Sequence, residues 1–209
     1  MPVQCVIFDL DGTLVDSETV GSQVLLELFP DLDDTLDSIS ERYRGWRMAN
    51  ILADIEQRLK RKLPESFEHD YRELAAVRLE EGLRPMPGVR EMLDQLTLPS
   101  CVASNAPPEK IALALRIGGL SDYFGERMFS CYTVGAWKPD PKIFLHASQA
   151  MGFAPQQCVV VEDSDVGVAA GVAAGIPVLR YDPIGKYESS EVVQCFDQMA
   201  KLLPLIAEF

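Results

Sequence analysis

Two acidic residues, one residue apart, end the first apolar run of the chain. Cys5-Val6-Ile7-Phe8 is typical of a buried strand, and Asp9 and Asp11 follow it directly. Like charges held this close repel one another unless a bound cation or a catalytic task offsets the repulsion. The pair therefore predicts a metal site or a reaction centre at the end of this strand.

Polar residues also follow three later apolar runs, and their types suit phosphate chemistry. They are Ser104 and Asn105 after the second run, Lys138 in WKPDP after the third, and Glu162 and Asp163 after the fourth. Ligands of an open α/β sheet bind at the carboxyl ends of its strands, so these groups are expected at one edge. Carboxylates without a nearby His or Cys suit Mg²⁺. Each group alone could be a solvated rim residue, but together they predict a phosphoryl site.

The elements that must position these groups alternate between strands and helices. Near-continuous apolar runs predict strands buried on both faces, as in a parallel sheet, at residues 3–8, 100–103, 128–132, 158–161 and 177–180. Helix starts are indicated by Pro87-Gly88 before residues 89–96, by Pro107-Pro108-Glu109, and by Asp140 with Pro141 at the first helical position. The sequence therefore predicts a Rossmann-like α/β fold.

Two further segments bear on the organisation of the chain. Gly167, Gly171 and Gly175 recur every four residues, which predicts one helix face packed closely against the sheet. A GxxxG membrane dimer is the rival interpretation, but the run is short and Asp165 begins it.

Residues 17–83 lack a convincing strand and have a helical apolar period, so they are predicted to form a helical cap inserted into a core of residues 1–16 and 84–209.

Composition narrows the range of partners. The 209 residues carry a formal net charge of −13, which argues against a nucleic-acid partner. The longest uncharged stretch, residues 166–179, is too short to cross a bilayer, so no membrane association is expected. Five widely spaced cysteines without a CxxC pair are typical of reduced thiols, and we expect a cytoplasmic protein, as a monomer or small homo-oligomer.

The motifs DLDGT, SN, KPDP and EDS, in this order, resemble those of the haloacid dehalogenase superfamily of phosphohydrolases. The helical insertion resembles the C1-type cap of the phosphoglycolate phosphatase and β-phosphoglucomutase branch. Within it, YRGWRMANI resembles the substrate-specificity loop of small sugar-phosphate phosphatases. The resemblance implies an Mg²⁺-dependent phosphatase that hydrolyses a small-molecule phosphomonoester, either a sugar phosphate or a phosphorylated sugar acid.

The resemblance also implies a role for each site residue. Asp9 is the nucleophile that forms an aspartyl-phosphate, and Asp11 is the general acid and base. Mg²⁺ is held by Asp9, by the main-chain carbonyl of Asp11 and by Asp163, with Glu162 helping through a water. The groups that bind the phosphate or the leaving group are Lys138, which is also counted as catalytic, Ser104, Asn105, Thr13 and Arg47.

Several alternatives stay open from the sequence. Thr13 either supports the nucleophile loop or is an ordinary turn threonine, and Arg47 either grips the leaving group or is a solvated surface arginine; Arg42 and Arg44 are weaker candidates. A phosphosugar mutase of the same superfamily is disfavoured because the position five residues after Asp16, a histidine in mutases, is Gly21. A receiver-like signalling module is disfavoured because it has no cap and no acid two residues beyond its phosphoacceptor.

Overall fold

The computed structural model describes residues 2–209, and a six-stranded parallel sheet forms its centre. The strands are β1 (Cys5–Phe8), β2 (Ser100–Ser104), β3 (Met128–Ser130), β4 (Cys158–Glu162), β5 (Val178–Tyr181) and β6 (Val193–Phe196). Their spatial order is β3-β2-β1-β4-β5-β6, so β1 lies between β2 and β4. The predicted α/β fold with a parallel sheet is confirmed.

The sheet differs from the prediction at its two edges. β3 ends at Ser130 because the next residues, Cys131–Val134, form a short helix, so the predicted strand at 128–132 is two residues too long. The Ser130 hydroxyl caps this helix by accepting the Tyr132 N–H at 3.1 Å. β6 was not predicted, because of its four residues only Phe196 is buried and the strand therefore has no continuous apolar run.

Helices cover both faces of the sheet. They are α5 (Val89–Gln95), α6 (Pro108–Gly118), α7 (Ser121–Phe124), α8 (Cys131–Val134), α9 (Lys142–Ala150), α10 (Asp165–Ala173) and α11 (Leu202–Ile206). Alternate side chains of a strand point to opposite faces, and both faces of β1 are fully buried. Phe8 packs in one hydrophobic core with Phe124, and Ile7 packs in the other with Phe144. Burial on both sides explains why the central strands show near-continuous hydrophobicity in the sequence.

One helix start lies a residue later than predicted. α9 begins at Lys142 and not at Pro141, which precedes the helix as its N-cap. Asp140 still contributes, since its Oδ1 accepts the Lys142 N–H at 2.9 Å. The start of α6 agrees with the prediction, with Pro107 as the N-cap and Pro108 as the first helical residue.

The glycine face of α10 is shorter than predicted. Gly167 and Gly171 lie in the helix, but Gly175 lies beyond its end, in a turn with a φ of +67°. A Cβ on Gly171 would lie 2.6 Å from Val178 Cγ2, so the close approach of helix and sheet requires glycine there. The interpretation as a packing face therefore holds for two of the three glycines.

Residues 17–83, named here the helical insert, contain α1 (Ser17–Leu28), α2 (Leu36–Tyr43), α3 (Met48–Leu59) and α4 (Phe67–Gly82). They have a hydrophobic cluster of their own, in which Phe29 stacks on Phe67 with ring centroids 4.7 Å apart. The chain enters and leaves the insert at one point, where the Asp16 N–H donates to Arg84 O at 2.9 Å. Within residues 2–209, no helix has both the length and the hydropathy needed to span a membrane.

Candidate active site

The central strand of the sheet carries the first acidic residue into the site. Asp9 directly follows β1, and its N–H donates to Val161 O of the neighbouring strand β4 at 2.9 Å. Because β1 has partners on both sides and is buried on both faces, the position of Asp9 is fixed by a fully enclosed backbone. Only 6% of the Asp9 surface is exposed.

Lys138 joins Asp9 to Glu162, the last residue of β4. Its ammonium forms a close ion pair with Asp9 and a second one with Glu162 Oε1 at 2.8 Å. Burial on its own would lower the pKa of Lys138, but the two carboxylates outweigh burial and raise it, so the ammonium stays charged. Burial, with Glu162 and Asp163 adding to it and Lys138 opposing it, raises the pKa of Asp9.

Asp163 lies against the turn that follows Asp9. The Thr13 hydroxyl donates to Asp163 Oδ1 at 3.0 Å, and Thr13 itself is fully buried. The other carboxylate oxygen would lie 2.5 Å from a Cβ on Gly12, whose φ is +84°, so glycine is required for this approach. Burial raises the pKa of Asp163, and the nearby Glu18 and Glu162 raise it further. Thr13 therefore orients Asp163 and does not line the cavity.

Asp11 has a different environment from Asp9. Ser17 donates a short hydrogen bond to Asp11 Oδ1, and Lys110 Nζ contacts the same oxygen at 2.8 Å. Burial on its own would raise the pKa of Asp11, but the charge and hydrogen bond of Lys110 outweigh it and hold the pKa below its usual range. Lys110 was missed in the sequence because it belongs to none of the four motifs.

Residues of the SN and EDS motifs also hold the loops around them in place. Glu162 Oε2 accepts the Ser164 N–H at 2.6 Å and the Ser164 hydroxyl at 2.9 Å. Ser104 is 1% exposed, and its hydroxyl oxygen accepts the Ala106 N–H at 3.0 Å. Asn105 Oδ1 accepts the Lys138 N–H at 3.0 Å, so this side chain fixes the lysine loop.

Residues 44–47 of the insert, named here the cap loop, reach into the same site. The Gly45 N–H donates to Glu18 Oε1 at 3.1 Å, and Gly45 O accepts from Asn105 Nδ2 at 3.3 Å. A Cβ on Gly45 would lie 2.6 Å from the Ser164 side chain, and the glycine has a φ of +70°. The cap loop is therefore seated directly on the loops after β2 and β4.

The two arginines of the cap loop point to different partners. Arg44 forms ion pairs with Asp163 Oδ2 at 3.4 Å and with Glu18 Oε2 at 3.7 Å. Arg47 lies over the Trp137 ring, 4.5 Å from its centroid, and is exposed on the cavity wall. The sequence favoured Arg47 over Arg44, yet Arg44 is the arginine that contacts the acidic cluster. No sequence signal indicates this, because Arg44 meets Glu18 and Asp163 only through the packing of separate segments.

A cavity of about 580 Å³ lies between the core and the helical insert. Its floor contains Asp9, Asp11, Ser104, Asn105, Lys138 and Glu162. Its opposite wall is formed by the cap loop and by α1 and α4 of the insert, including Arg72 and the exposed His69. The structure thus brings residues from all four motifs to one cavity, whereas Thr13 and Asp163 lie behind its floor.

A profile of haloacid dehalogenase-like hydrolases matches residues 3–175, which is most of the chain. The chain belongs to this family. A 6-phosphogluconate phosphatase of Escherichia coli (strain K12) is 32% identical over 206 residues, covering 96% of this chain and 93% of that protein. The family assignment and the phosphatase relatives identify the chain as an enzyme, a phosphatase of the haloacid dehalogenase-like type.

Solved structures of this family have the same fold along almost the whole chain. A haloacid dehalogenase-like protein of unknown function from Agrobacterium tumefaciens is 31% identical, with a TM-score of 0.84, over 99% of this chain and 98% of that one. A family hydrolase from Deinococcus radiodurans R1, solved with bound phosphate and sodium, is 29% identical, with a TM-score of 0.80, over 99% of this chain and 96% of that one. The match to these structures therefore includes the helical insert as well as the sheet.

The charge of the site fits the divalent cation expected for a haloacid dehalogenase-like hydrolase. Three neighbouring groups of ion pairs in the site contain more carboxylates (Asp9, Asp11, Glu18, Glu162 and Asp163) than cations (Lys110, Lys138 and Arg44). Burial raises the pKa of Asp9, Glu18 and Asp163, and a divalent cation such as Mg²⁺, which prefers hard oxygen donors, would offset the negative charge of their ionised forms. Within residues 2–209, no three His, Cys, Asp or Glu side chains already converge on one point. Mg²⁺ needs fewer, because it keeps several waters and substrate oxygens.

Proposed function

We propose that this phosphatase hydrolyses a sugar phosphate or a phosphorylated sugar acid with the help of Mg²⁺, through an aspartyl-phosphate on Asp9. The observation that carries the proposal is the buried bridge from Asp9 through Lys138 to Glu162 at the floor of the cavity. A buried carboxylate paired with an ammonium at the end of the central strand is positioned for nucleophilic attack on phosphorus.

In the first step, an Asp9 oxygen forms a bond to phosphorus while the bond from phosphorus to the leaving oxygen breaks. Asp11, whose pKa is low beside Lys110, takes up a proton when the like-charged phosphate binds and gives it to the leaving oxygen, so the product is a neutral alcohol. In the second step, Asp11 takes a proton from water, the water oxygen attacks phosphorus, and Asp9 leaves as a carboxylate. Inorganic phosphate departs, and Asp11 has regained the proton that it gave.

The phosphate is held by groups already present on the cavity floor. We propose that Lys138, Ser104 and the main chain at Asn105 hold the phosphate against Asp9. Thr13 contributes by fixing Asp163 and not by touching substrate. Mg²⁺ would be held by Asp9, Asp163 and the main-chain carbonyl of Asp11, with Glu162 acting through a water.

When bound, Mg²⁺ supplies positive charge to the phosphoryl oxygens and to the acidic cluster. The excess of carboxylates over cations in the cluster supports this part of the proposal.

The five cysteines are all free thiols, and four of them are buried, which supports our expectation of a reducing, cytoplasmic environment.

The substrate class is proposed from the cavity and the insert together. We propose that residues 17–83 act as a cap domain on a core of residues 1–16 and 84–209. A volume of about 580 Å³ is in the usual range of small-molecule sites and leaves room for a six-carbon chain beyond the phosphate. Arg47 on the cap wall can bind a carboxylate or vicinal hydroxyls at the far end of such a substrate. The E. coli 6-phosphogluconate phosphatase supports the choice of a phosphorylated sugar acid.

Hydrolysis is favoured over the mutase alternative by the surroundings of Gly21. A Cβ at this position would lie 2.9 Å from the Tyr71 hydroxyl, so the place of the mutase histidine is closed by a side chain of α4. Without a second base to activate the hydroxyl of a bound sugar, the aspartyl-phosphate is left to react with water. We propose that the enzyme releases phosphate and does not return it to the sugar.

The experiment that tests the function is phosphate release from a panel of phosphomonoesters that includes 6-phosphogluconate, glucose 6-phosphate and phosphoglycolate. We expect multiple turnovers with Mg²⁺, none after addition of EDTA, and recovery when Mg²⁺ is restored in excess. The best substrate is expected to have a six-carbon chain. A single stoichiometric phosphorylation without turnover would instead favour the receiver-like alternative.

A further inference from the structure

Lys110 contacts the proposed acid and base from outside the four motifs. It is the third residue of α6, and its ammonium lies 2.8 Å from Asp11 Oδ1. Ser17 donates to the same oxygen. Among residues 2–209, no hydrogen-bond donor is placed on the other oxygen, Oδ2. The carboxylate therefore has one anchored oxygen and one that is available to a bound substrate.

The location of Lys110 is not explained by the stability of its own helix. The N-terminus of a helix carries a partial positive charge, so a lysine in the first turn is electrostatically unfavourable there. Its neighbour Glu109 has the favourable sign and is exposed. Lys110 instead extends across to Asp11, 99 positions away in the sequence, and lines the cavity. The contact with Asp11 is thus the feature that accounts for a lysine at this position.

The geometry points to Lys110 as a positioning residue for proton transfer by Asp11. Lys110 and Ser17 together fix Oδ1, which turns Oδ2 toward the leaving oxygen of the substrate. Lys110 stays protonated throughout; the proton that moves passes between Oδ2 of Asp11 and the leaving oxygen as the bond to phosphorus breaks. This inference rests on the proposed function. It gives Lys110 a role different from that of Lys138, which contacts Asp9 and is proposed to bind the phosphate.

The test compares two substrates that differ in their need for a proton. An alkyl phosphate such as 6-phosphogluconate releases a strongly basic alkoxide, whereas p-nitrophenyl phosphate releases a stable phenolate. The value of kcat/KM reports steps up to release of the alcohol, so it isolates the first step. For Lys110→Met we expect kcat/KM to fall about 10- to 100-fold with 6-phosphogluconate and less than about threefold with p-nitrophenyl phosphate.

Three further variants make this result specific. Lys110→Arg, which keeps the charge, is expected to recover most of the lost kcat/KM. Lys142→Met is the matched control, because this lysine is 71% exposed and pairs only with Asp140. If Lys110 acts through Asp11, the double variant Lys110→Met/Asp11→Asn should be no slower with 6-phosphogluconate than Asp11→Asn alone.

The outcomes distinguish this inference from the function on which it rests. Equal losses with the two substrates would overturn it, because Lys110 would then act on the phosphate or on the fold. Additive losses in the double variant, or wild-type values for Lys110→Met, would also overturn it while the wild type remained an active phosphatase. A wild type inactive on both substrates would instead overturn the proposed function itself.

Discussion

The floor and the cap wall of the cavity are built in opposite ways. On the floor, Asp9, Lys138 and Glu162 are each at most 6% exposed, and each is held by a charged partner. On the cap wall, Trp46 is 41% exposed, and Arg47 rests on an aromatic ring and has no ion pair among the described residues. The charged side chains of the floor are held in place without a ligand, whereas the exposed side chains of the wall are free to contact one.

Under the proposed function, this difference assigns the reaction to the floor and substrate selection to the wall. Buried charges are tolerated only when they are paired, so replacing a charged residue on the floor leaves its ion-pair partner buried and unpaired. An exposed arginine on the wall can be replaced at little cost to the fold, and under the proposed function its loss would weaken substrate binding. The predictions below test the contrast between the floor and the wall, beginning with the floor.

Replacing the proposed nucleophile should have the largest effect. We expect Asp9→Asn to lower kcat by on the order of 10⁴-fold or more on every phosphomonoester, because the amide cannot form the acyl phosphate. Phosphate release measured with 6-phosphogluconate and with p-nitrophenyl phosphate checks this. Asp140→Asn, a change in an exposed carboxylate outside the cavity, is the control, and it should keep wild-type rates. An Asp9→Asn enzyme with near-normal turnover would contradict the assignment.

The second prediction concerns Asp11, also on the floor. Asp11→Asn should still bind substrate but lose about 10²- to 10⁴-fold in kcat through lost proton transfer. The first step with p-nitrophenyl phosphate, followed by rapid quench, should suffer less than the same step with an alkyl phosphate. An equal loss of this step for both substrates would show that Asp11 does not act as the acid.

On the wall, Arg47→Ala should change selection and leave chemistry intact. Loss of a charge-assisted contact should lower kcat/KM for the preferred sugar phosphate by about 10- to 150-fold. Values for p-nitrophenyl phosphate should change little. Arg61→Ala is the matched control, since that arginine pairs with Asp31 on the exposed surface. Parallel losses on both substrates would make Arg47 a residue of folding or closure.

The smallest expected effect lies where floor and wall meet, at Glu18. Burial raises the pKa of Glu18 to about 8, so between its ordinary pKa and this value the folded protein binds more protons than the unfolded chain. Stability in EDTA should therefore decline as the pH rises from about 5 to about 8. Asp9 and Asp163 contribute with the same sign, so the informative quantity is the difference between wild type and Glu18→Gln.

The Glu18→Gln variant should show a shallower decline of its urea midpoint over this range. The decline is measured by unfolding at several pH values in metal-free buffer. An identical pH slope for the two proteins would mean that Glu18 is ionised in the folded state.

The sequence predicts the floor well and the wall poorly, for a physical reason. Asp9 and Glu162 lie at the ends of two buried apolar runs, and parallel strands bring their carboxyl ends to one edge, so the local pattern is enough to place them together. Lys138 follows the third strand after the short helix α8 and was placed by its motif. Lys110 and Arg44 reach the site from a helix and from the cap loop. Their roles depend on how separate segments pack, and neither periodicity nor a motif records that packing. β6 was missed for a related reason, since an edge strand needs no continuous apolar run.

The meeting point of the two ends of the insert has a consequence for how such enzymes diversify. The Asp16 N–H bonds to Arg84 O, and Val15 pairs with Pro85, so the chain leaves and rejoins the core side by side. A segment attached in this way could be exchanged for one of another length while the sheet register and the nucleophile loop stay unchanged. New substrates could then be acquired by grafting between relatives, with the reaction itself inherited intact.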